Sequence, residues 1–263
     1  MRIIVLIKQV PDTTDVKLDP KTGNLVRQGL DSIINPDDLH ALEAAIRLKQ
    51  ETGGKVTVLS MGPPQAVDAL TEAMGMGADH AILLCDTHFA GADTWATSFT
   101  LGRAIEKIKE FDLVICGRQA IDGDTAQIGP QVAEYLNLSQ VSYVSEIQNV
   151  QPESLTVKQR FENGYKRIEC KLPALLTVIG ELNTPRYPHL GKMINACGEK
   201  SSIKIWNAAD IGVTIDQVGL AGSLTQVIKT FVPKMKRAGE ILKGSKEEVA
   251  ETLIGRLTEK ALI

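Results

Sequence analysis

"FDLVICGRQAIDGDTAQIGPQVAEYL", residues 111–136, is the stretch that decides the fold. It opens with an apolar run that predicts a strand ending near Cys116, and it closes with "PQVAEYL", which predicts a helix. Between them lie Gly117, Gly123 and Gly129 together with Gln119, Asp122, Asp124, Thr125 and Gln127. A strand that enters a helix through a turn rich in Gly and small polar residues is half of a β-α-β unit.

Upstream segments repeat this alternation. "RIIVLIK" (2–8) is apolar throughout, as a strand covered on both faces must be. "INPDDLHALEAAIRLKQETGG" predicts a helix with Asn35 as N-cap, Pro36 at the first helical position, and Asp37 and Asp38 in the first turn, where the helix dipole favours anions. Leu39, Leu42 and Ile46 form its apolar stripe, and Gly53-Gly54 stops it. Strand "KVTVLSMG" (55–62), helix "PQAVDALTEAMGMGAD", strand "HAILLCD" (80–86) and a helix over 93–110 capped by Asp93 follow. This order implies an α/β fold with a Rossmann-like parallel sheet. Ligands of such sheets sit beyond the carboxyl ends of the strands.

After Leu138 the pattern turns β-rich. "QVSYVSEIQNV", "SLTVKQRFENGYKRIEC" and "ALLTVIGEL" are read as an antiparallel extension, with Asn163-Gly164 as a hairpin signal. The last 60 residues hold weak strand patterns, the basic run "VPKMKRAGEILKG", and a final amphipathic helix carrying Val249, Leu253, Leu257 and Leu262. Two parts are expected: residues 1–200 as the nucleotide-binding domain, and 201–263 as a C-terminal arm and helix.

Composition narrows the function. Net charge is −3 in 263 residues, which gives no footprint for nucleic acid. Cys85, Cys116, Cys170 and Cys197 form no C-x-x-C pair, which argues against a zinc site or a disulfide framework and fits a reducing compartment. The first apolar run is too short for a signal peptide, and no stretch approaches the ~20 apolar residues of a membrane span. The expected location is cytoplasmic.

A Gly-rich strand-to-helix turn can aim several backbone N–H groups at one anion, aided by the helix dipole. Gly117, Gly123 and Gly129 permit positive φ or close approach. Thr125, Gln119 and Gln127 can add neutral hydrogen bonds, and Asp122 and Asp124 can cap N–H groups or meet ribose hydroxyls. An Ω-like surface loop shaped by Asx-turns suits the same residues. Three more loops, "KQVPDT" (8–13), "MGPP" (61–64) and "CDTHFAGADT" (85–94), end strands on the same rim, as a nucleotide site requires. There is no G-x-G-x-x-G after the first strand, no G-K-[ST] loop and no G-x-S-x-G elbow. His40, His80, His88 and His189 are scattered. Any chemistry would come from a bound cofactor.

With these residues in view, the chain resembles the β subunit of electron transfer flavoproteins along its whole length. "IKQVPD" (7–12), "INPDD" (34–38), "GRQAIDGDTAQIGPQVAEYL" (117–136), "KLPALLTV" (171–178) and "LNTPRYPHLGKMINA" (182–196) carry the resemblance. It implies a heterodimer with an α subunit that binds FAD. It implies an adenine nucleotide held by Leu6, Asn35, Pro36, Asp37, Asp38, Met61, Arg118, Gln119, Ala120, Asp122, Gly123, Asp124, Thr125, Ala126, Gln127 and Gly129. In housekeeping members of the family that nucleotide is AMP; in electron-bifurcating members it is a second FAD, against which NAD(H) docks.

Four segments resemble the bifurcating group: "DTTDVKLDPKTGNLVRQG" (12–29), "SIINPDD" (32–38), "MGPPQA" (61–66) and "AGADTWATS" (90–98). Gly62 and Pro63 would then receive NAD(H). Asp93, Thr94, Thr97 and Ser98 would face the flavin ring, although Asp93 also suits a simple helix cap. In such a protein electrons from NADH divide between an acyl-CoA or lactate-type flavin dehydrogenase, reached through the α-subunit FAD, and ferredoxin or flavodoxin. Residues 182–200 map to the partner-recognition loop, with Arg186, Tyr187, Leu190 and Met193 as contacts and Leu190 as apolar anchor. "NACGEK" departs from the lysine-rich run of the housekeeping form. A non-redox adenine-nucleotide-binding module of the universal-stress type is a third reading, though it leaves the hairpin and C-terminal arm unexplained.

Overall fold

The computed structural model describes residues 1–12, 32–198, 203–229, 239 and 241–263. The segment 13–31, residues 199–202 and most of the basic run at 232–244 lie outside the described residues, and with them most of the 12–29 stretch and the end of "NACGEK".

The elements run β1 (Arg2–Leu6), β2 (Gln9–Pro11), β3 (Ser32–Ile34), α1 (Pro36–Thr52), β4 (Lys55–Met61), α2 (Val67–Met76), β5 (His80–Leu84), α3 (Thr94–Ile108), β6 (Leu113–Gly117) and α4 (Ile128–Tyr135). They continue with β7 (Ser139–Val150), β8 (Ser154–Phe161), β9 (Gly164–Lys171), β10 (Ala174–Val178), α5 (Leu190–Cys197), β11 (Ile203–Trp206) and α6 (Lys246–Glu259). One sheet takes the order β11-β5-β4-β1-β6-β10-β7-β8-β9, and β2 pairs with β3 apart from it. All pairings from β11 to β7 are parallel, while β7-β8 and β8-β9 are antiparallel. The α/β reading, with a parallel sheet extended by antiparallel strands, therefore holds.

The core has two layers. On one face Leu42, Ile46 and Leu70 from α1 and α2 pack with Ile3, Val5, Val58 and Leu83. On the other, Leu101, Ile105 and Val132 from α3 and α4 pack with Ile4, Leu6, Leu84 and Val114. Alternate residues of β1 feed opposite layers, as the period of two in a strand demands. Gly53 and Gly54, at φ 75° and 107°, end α1 as expected.

Three expectations change. "ALLTV" is not antiparallel: β10 inserts between β6 and β7, parallel to both, and is buried on both faces. A wholly apolar strand is stable only where both faces are covered, which is the parallel interior and not the half-solvated extension. The hairpin between β8 and β9 forms, but Glu162 and Asn163 occupy its two-residue loop and Gly164 begins the returning strand opposite Phe161. The expected boundary at 200 moves: contacts divide the chain after Val227. β11 is the edge strand of the main sheet, and Ala208, Ile211, Val213 and Val218 belong to the second core layer. In the unit 228–263, α6 carries a capping box between Ser245 and Glu248, and it stops at Glu259, short of Leu262.

Candidate nucleotide site

The site stands where the topology predicts a crevice. The chain moves from β1 outward to β4 and β5, then crosses back to β6 on the other side of β1. β1 and β6 are the switch point, and their carboxyl ends diverge there.

The first turn of α1 fills that divergence. The buried Asp38 carboxylate accepts the Lys8 N–H at 2.9 Å and the Gly117 N–H at 2.9 Å, so one side chain ties the ends of β1 and β6 together. Burial pushes its pKa up to about 7, against the opposing effect of the two N–H groups. Gly117 is required by this approach: a Cβ there would lie 2.4 Å from Asp38 Oδ1 and 2.7 Å from the Asp37 Cβ. Asn35 occupies the N-cap position of α1, yet its side chain caps nothing. Its Nδ2 donates to Gln119 O at 2.9 Å and its Oδ1 accepts the Ile121 N–H at 3.1 Å. The expected cap is thus a clamp on the turn at 118–127: the amide serves two part-buried backbone groups there instead of the helix end.

The turn itself is strained and braced. None of Gly117, Gly123 and Gly129 has positive φ; Asp124 and Ala126 do, at 48° and 53°. Gly123 has open space around it, whereas a Cβ on Gly129 would lie 2.5 Å from Thr177 Cγ2 and 3.0 Å from Cys116 Sγ. Asp122 receives Lys8 Nζ at 2.7 Å, and Asp124 Oδ1 accepts Gln119 Nε2 at 2.8 Å. Among the described residues neither carboxylate caps a backbone N–H, the first of the two roles expected of them; the other was to meet ribose hydroxyls. Ala120 O accepts the N–H groups of Gly123 and Asp124. Non-glycine residues in the left-handed region persist when surrounding bonds over-determine them, and such strain concentrates at functional sites.

Arg118 follows the strand end, its N–H donating to Val178 O at 2.8 Å. Its Nε lies 3.5 Å from Asp37 Oδ2, is buried, and closes no hydrogen bond. Burial raises the Asp37 pKa, while Arg118 and His40 oppose that. The guanidinium also stands 5.9 Å from the Tyr143 ring. Buried Cys116 has its thiol pKa pushed up, so it supplies no thiolate.

The start of α3 joins the same rim. Thr94 Oγ1 donates to Gln127 Oε1 at 2.8 Å, and Ser98 Oγ donates to Thr94 O at 2.8 Å. Asp93 caps α3 through Ala96 N–H at 2.9 Å, and its other oxygen accepts the N–H and hydroxyl of Thr225. These bonds give Asp93 the helix-cap role. Met61, Gly62 and Pro63 end β4 on the same rim, with Gly62 N–H donating to Leu84 O at 3.1 Å. Leu6 lies beneath, in the core.

The expected partner loop lies along α1. Arg186 does not project outward: its Nε and Nη2 grip Glu43 at 2.7 and 3.1 Å, and Glu43 also takes Arg47 at 2.6 Å. Burial would raise the Glu43 pKa, but these arginines hold it below the ordinary value. Met193 packs over Gly75. Tyr187, Leu190 and Ile194 are left exposed, at 96%, 70% and 62%. Lys8, Glu43 and Tyr143 escaped the site expected from sequence. The first could have been found from its place at a strand end on the rim; the other two carry no local signal.

A family model described as "Electron transfer flavoprotein domain" matches residues 22–211. The chain belongs to the electron transfer flavoprotein β-subunit family. It is 53% identical over the full length of both chains to the electron transfer flavoprotein subunit beta of Thermoanaerobacterium thermosaccharolyticum. It is 50% identical, again over the whole of both chains, to subunit CarD of the caffeyl-CoA reductase-Etf complex of Acetobacterium woodii. The subunit beta of Clostridium acetobutylicum shares 48% over the same extent. Its role is electron transfer, the family binds flavin- or AMP-type cofactors, and membership implies an α-subunit partner. No helix among the described residues is long and apolar enough to cross a membrane.

Proposed function

We propose that this chain is the β subunit of an electron-bifurcating electron transfer flavoprotein, binding FAD at the β1/β6 crevice and NAD(H) beside it. One observation carries the reading: the Thr94–Gln127 hydrogen bond makes the start of α3 continuous with the turn at 118–127. AMP needs only a phosphate turn and an adenine slot. A full FAD needs a second polar ledge, and Thr94 and Thr97 extend the turn into one. The residues fit such a group, since Arg118 pairs loosely with Asp37, at 3.5 Å, its Nε closes no hydrogen bond, and its part-exposed guanidinium stands at the strand end.

In this reading the turn and Arg118 hold phosphate and ribose oxygens, Asn35 and Asp38 hold the turn, and Gly62-Pro63 shape the rim for the nicotinamide. A flavin bound there would supply hydride acceptance and one-electron chemistry. The chain's own contribution is spacing and exclusion of water. The region 228–263 would pack on the α subunit. Tyr187, Leu190 and Ile194 would meet an acyl-CoA or lactate-type dehydrogenase, and ferredoxin or flavodoxin would take the low-potential electrons. The CarD relative, named for a caffeyl-CoA reductase-Etf complex, supports a reductase partner of that kind. A cytoplasmic setting suits these soluble carriers.

The test uses the co-expressed αβ complex. Acid-released nucleotides should be two FAD per heterodimer, and anaerobic NADH should bleach the flavin band. One FAD and one AMP, with no bleaching, would place the chain with the AMP-holding housekeeping carriers.

A further inference from the structure

Tyr143 is the feature that neither packing nor pairing explains. It sits in β7 where the register with β10 slips: Leu176 pairs with Val141 and Val178 with Val144, so Ser142 and Tyr143 together oppose Thr177. At this bulge Tyr143 has φ 58°. A bulky residue in the left-handed region is a true outlier, and glycine would adopt the same backbone freely. The ring does not repay the strain by filling the core, because the residue is 43% exposed. Its N–H is served by Thr177 Oγ1 at 3.2 Å, a bond any residue could make.

What the ring does touch is Arg118. The guanidinium lies 5.9 Å from the ring centroid, within cation–π range. Asp37 Oδ2 stands 3.5 Å from Nε, close enough to attract but not hydrogen-bonded. Nε is buried and closes no hydrogen bond, while the side chain as a whole is 35% exposed. Lys8, the neighbouring cation, is by contrast committed to Asp122. A part-buried guanidinium with open donors at a strand's carboxyl end matches oxyanions, above all the phosphate oxygens of a nucleotide.

We propose that Tyr143 is a positioning residue of the nucleotide site: its strained bulge holds the ring against Arg118 so that the guanidinium meets a phosphate shared by AMP and FAD. This rests on the nucleotide-binding reading above. The experiment uses the αβ complex stripped of nucleotide, with Tyr143→Phe, Tyr143→Gly, Arg118→Lys and the Tyr143→Gly/Arg118→Lys double variant. Affinity for AMP and for FAD is measured by titration, and the melting temperature is recorded without nucleotide.

Tyr143→Phe should bind within about twofold of the wild type, since the ring remains. Tyr143→Gly should bind both nucleotides roughly five- to twentyfold more weakly, while its nucleotide-free melting temperature stays level or rises as the strain is relieved. In the Arg118→Lys background, Tyr143→Gly should cost nothing further. Unchanged affinity in Tyr143→Gly, a loss confined to FAD, additive losses, or a loss that tracks a fall in melting temperature would each overturn the proposal. A wild-type complex that takes up no adenine nucleotide would overturn the functional reading and this inference with it; a wild type that binds, with indifferent variants, overturns the inference alone.

Discussion

The turn at 118–127 and the segment 183–197 are both long connections, and both are held by the same helix, α1. The first turn of α1 holds one: Asn35 clamps Gln119 and Ile121, and Asp38 ties Gly117 to Lys8. The next turns hold the other: His40 O accepts Asn183 Nδ2, and Glu43 takes Arg186. Their outward faces differ. The turn shows polar groups and strained backbone, with Asp124 and Ala126 at positive φ. The segment exposes Tyr187, Leu190 and Ile194, on backbone with no positive φ. In the proposed reading, one helix presents a pocket for a small polar ligand at its start and a docking face for a macromolecule along its side. The first needs rigidity supplied from several strands, and the second needs only a leash.

The sharpest way to break this comparison is to attack the rigid side. Gly117→Ala places a Cβ 2.4 Å from Asp38 Oδ1 and 2.8 Å from the Asp37 backbone carbon. Urea unfolding should show a loss of at least ~3 kcal/mol, with nucleotide binding lost too. Gly123→Ala, in open space, should stay within ~0.5 kcal/mol. Equal losses at the two positions would mean that the turn is not anchored at the strand end.

The next effect is a slope with pH. Folded Asp38 titrates at about 7, against ~3.9 for an ordinary aspartate. Between those values the folded chain keeps a proton that the unfolded chain has released. Stability therefore falls as pH rises through this window, by up to ~1.4 kcal/mol per pH unit, and the dependence ends above about 7. Asp38→Asn should flatten the curve of unfolding midpoint against pH between 5 and 7. Parallel curves for the two proteins would assign the titration to another group.

The smallest effect on the chain itself belongs to the docking side. Leu190→Ala should leave unfolding within ~0.5 kcal/mol, because the residue is already 70% exposed. Docking of the αβ complex to its dehydrogenase should weaken by ~1–2 kcal/mol, the cost of removing an apolar anchor. A stability loss without a docking loss would show that Leu190 is structural.

Local signals in the sequence were read well. Asp93 caps α3, Gly53 and Gly54 stop α1, and the apolar runs became strands, because these features are settled by a few neighbouring residues, whereas Asn35 was misread as a cap because its amide goes to Gln119 and Ile121, 84 and 86 positions away. The strand-turn-helix form of 111–136 was legible for the same local reason. What closes it was not. Lys8 and Asp122 meet across 114 positions, and Asp38 reaches Gly117 across 79. β10 was placed in the wrong kind of pairing because "ALLTV" looks alike in either; only the crossover geometry distinguishes them. Tyr143 carries no mark of its left-handed backbone, since the residue type argues against it.

The late position of β10 has a consequence for how the molecule is made. Residues 118–173 intervene between β6 and the strand that covers its outer edge. On a ribosome the nascent chain would therefore carry an open β6 edge until Ala174–Val178 emerges, and such edges invite mispairing. The Arg118 N–H also waits for Val178 O, which supplies its hydrogen bond. The turn at 118–127 is thus completed only after the strand from the far end of the hairpin has docked, and in the proposed reading cofactor capture follows synthesis of most of the sheet instead of seeding it.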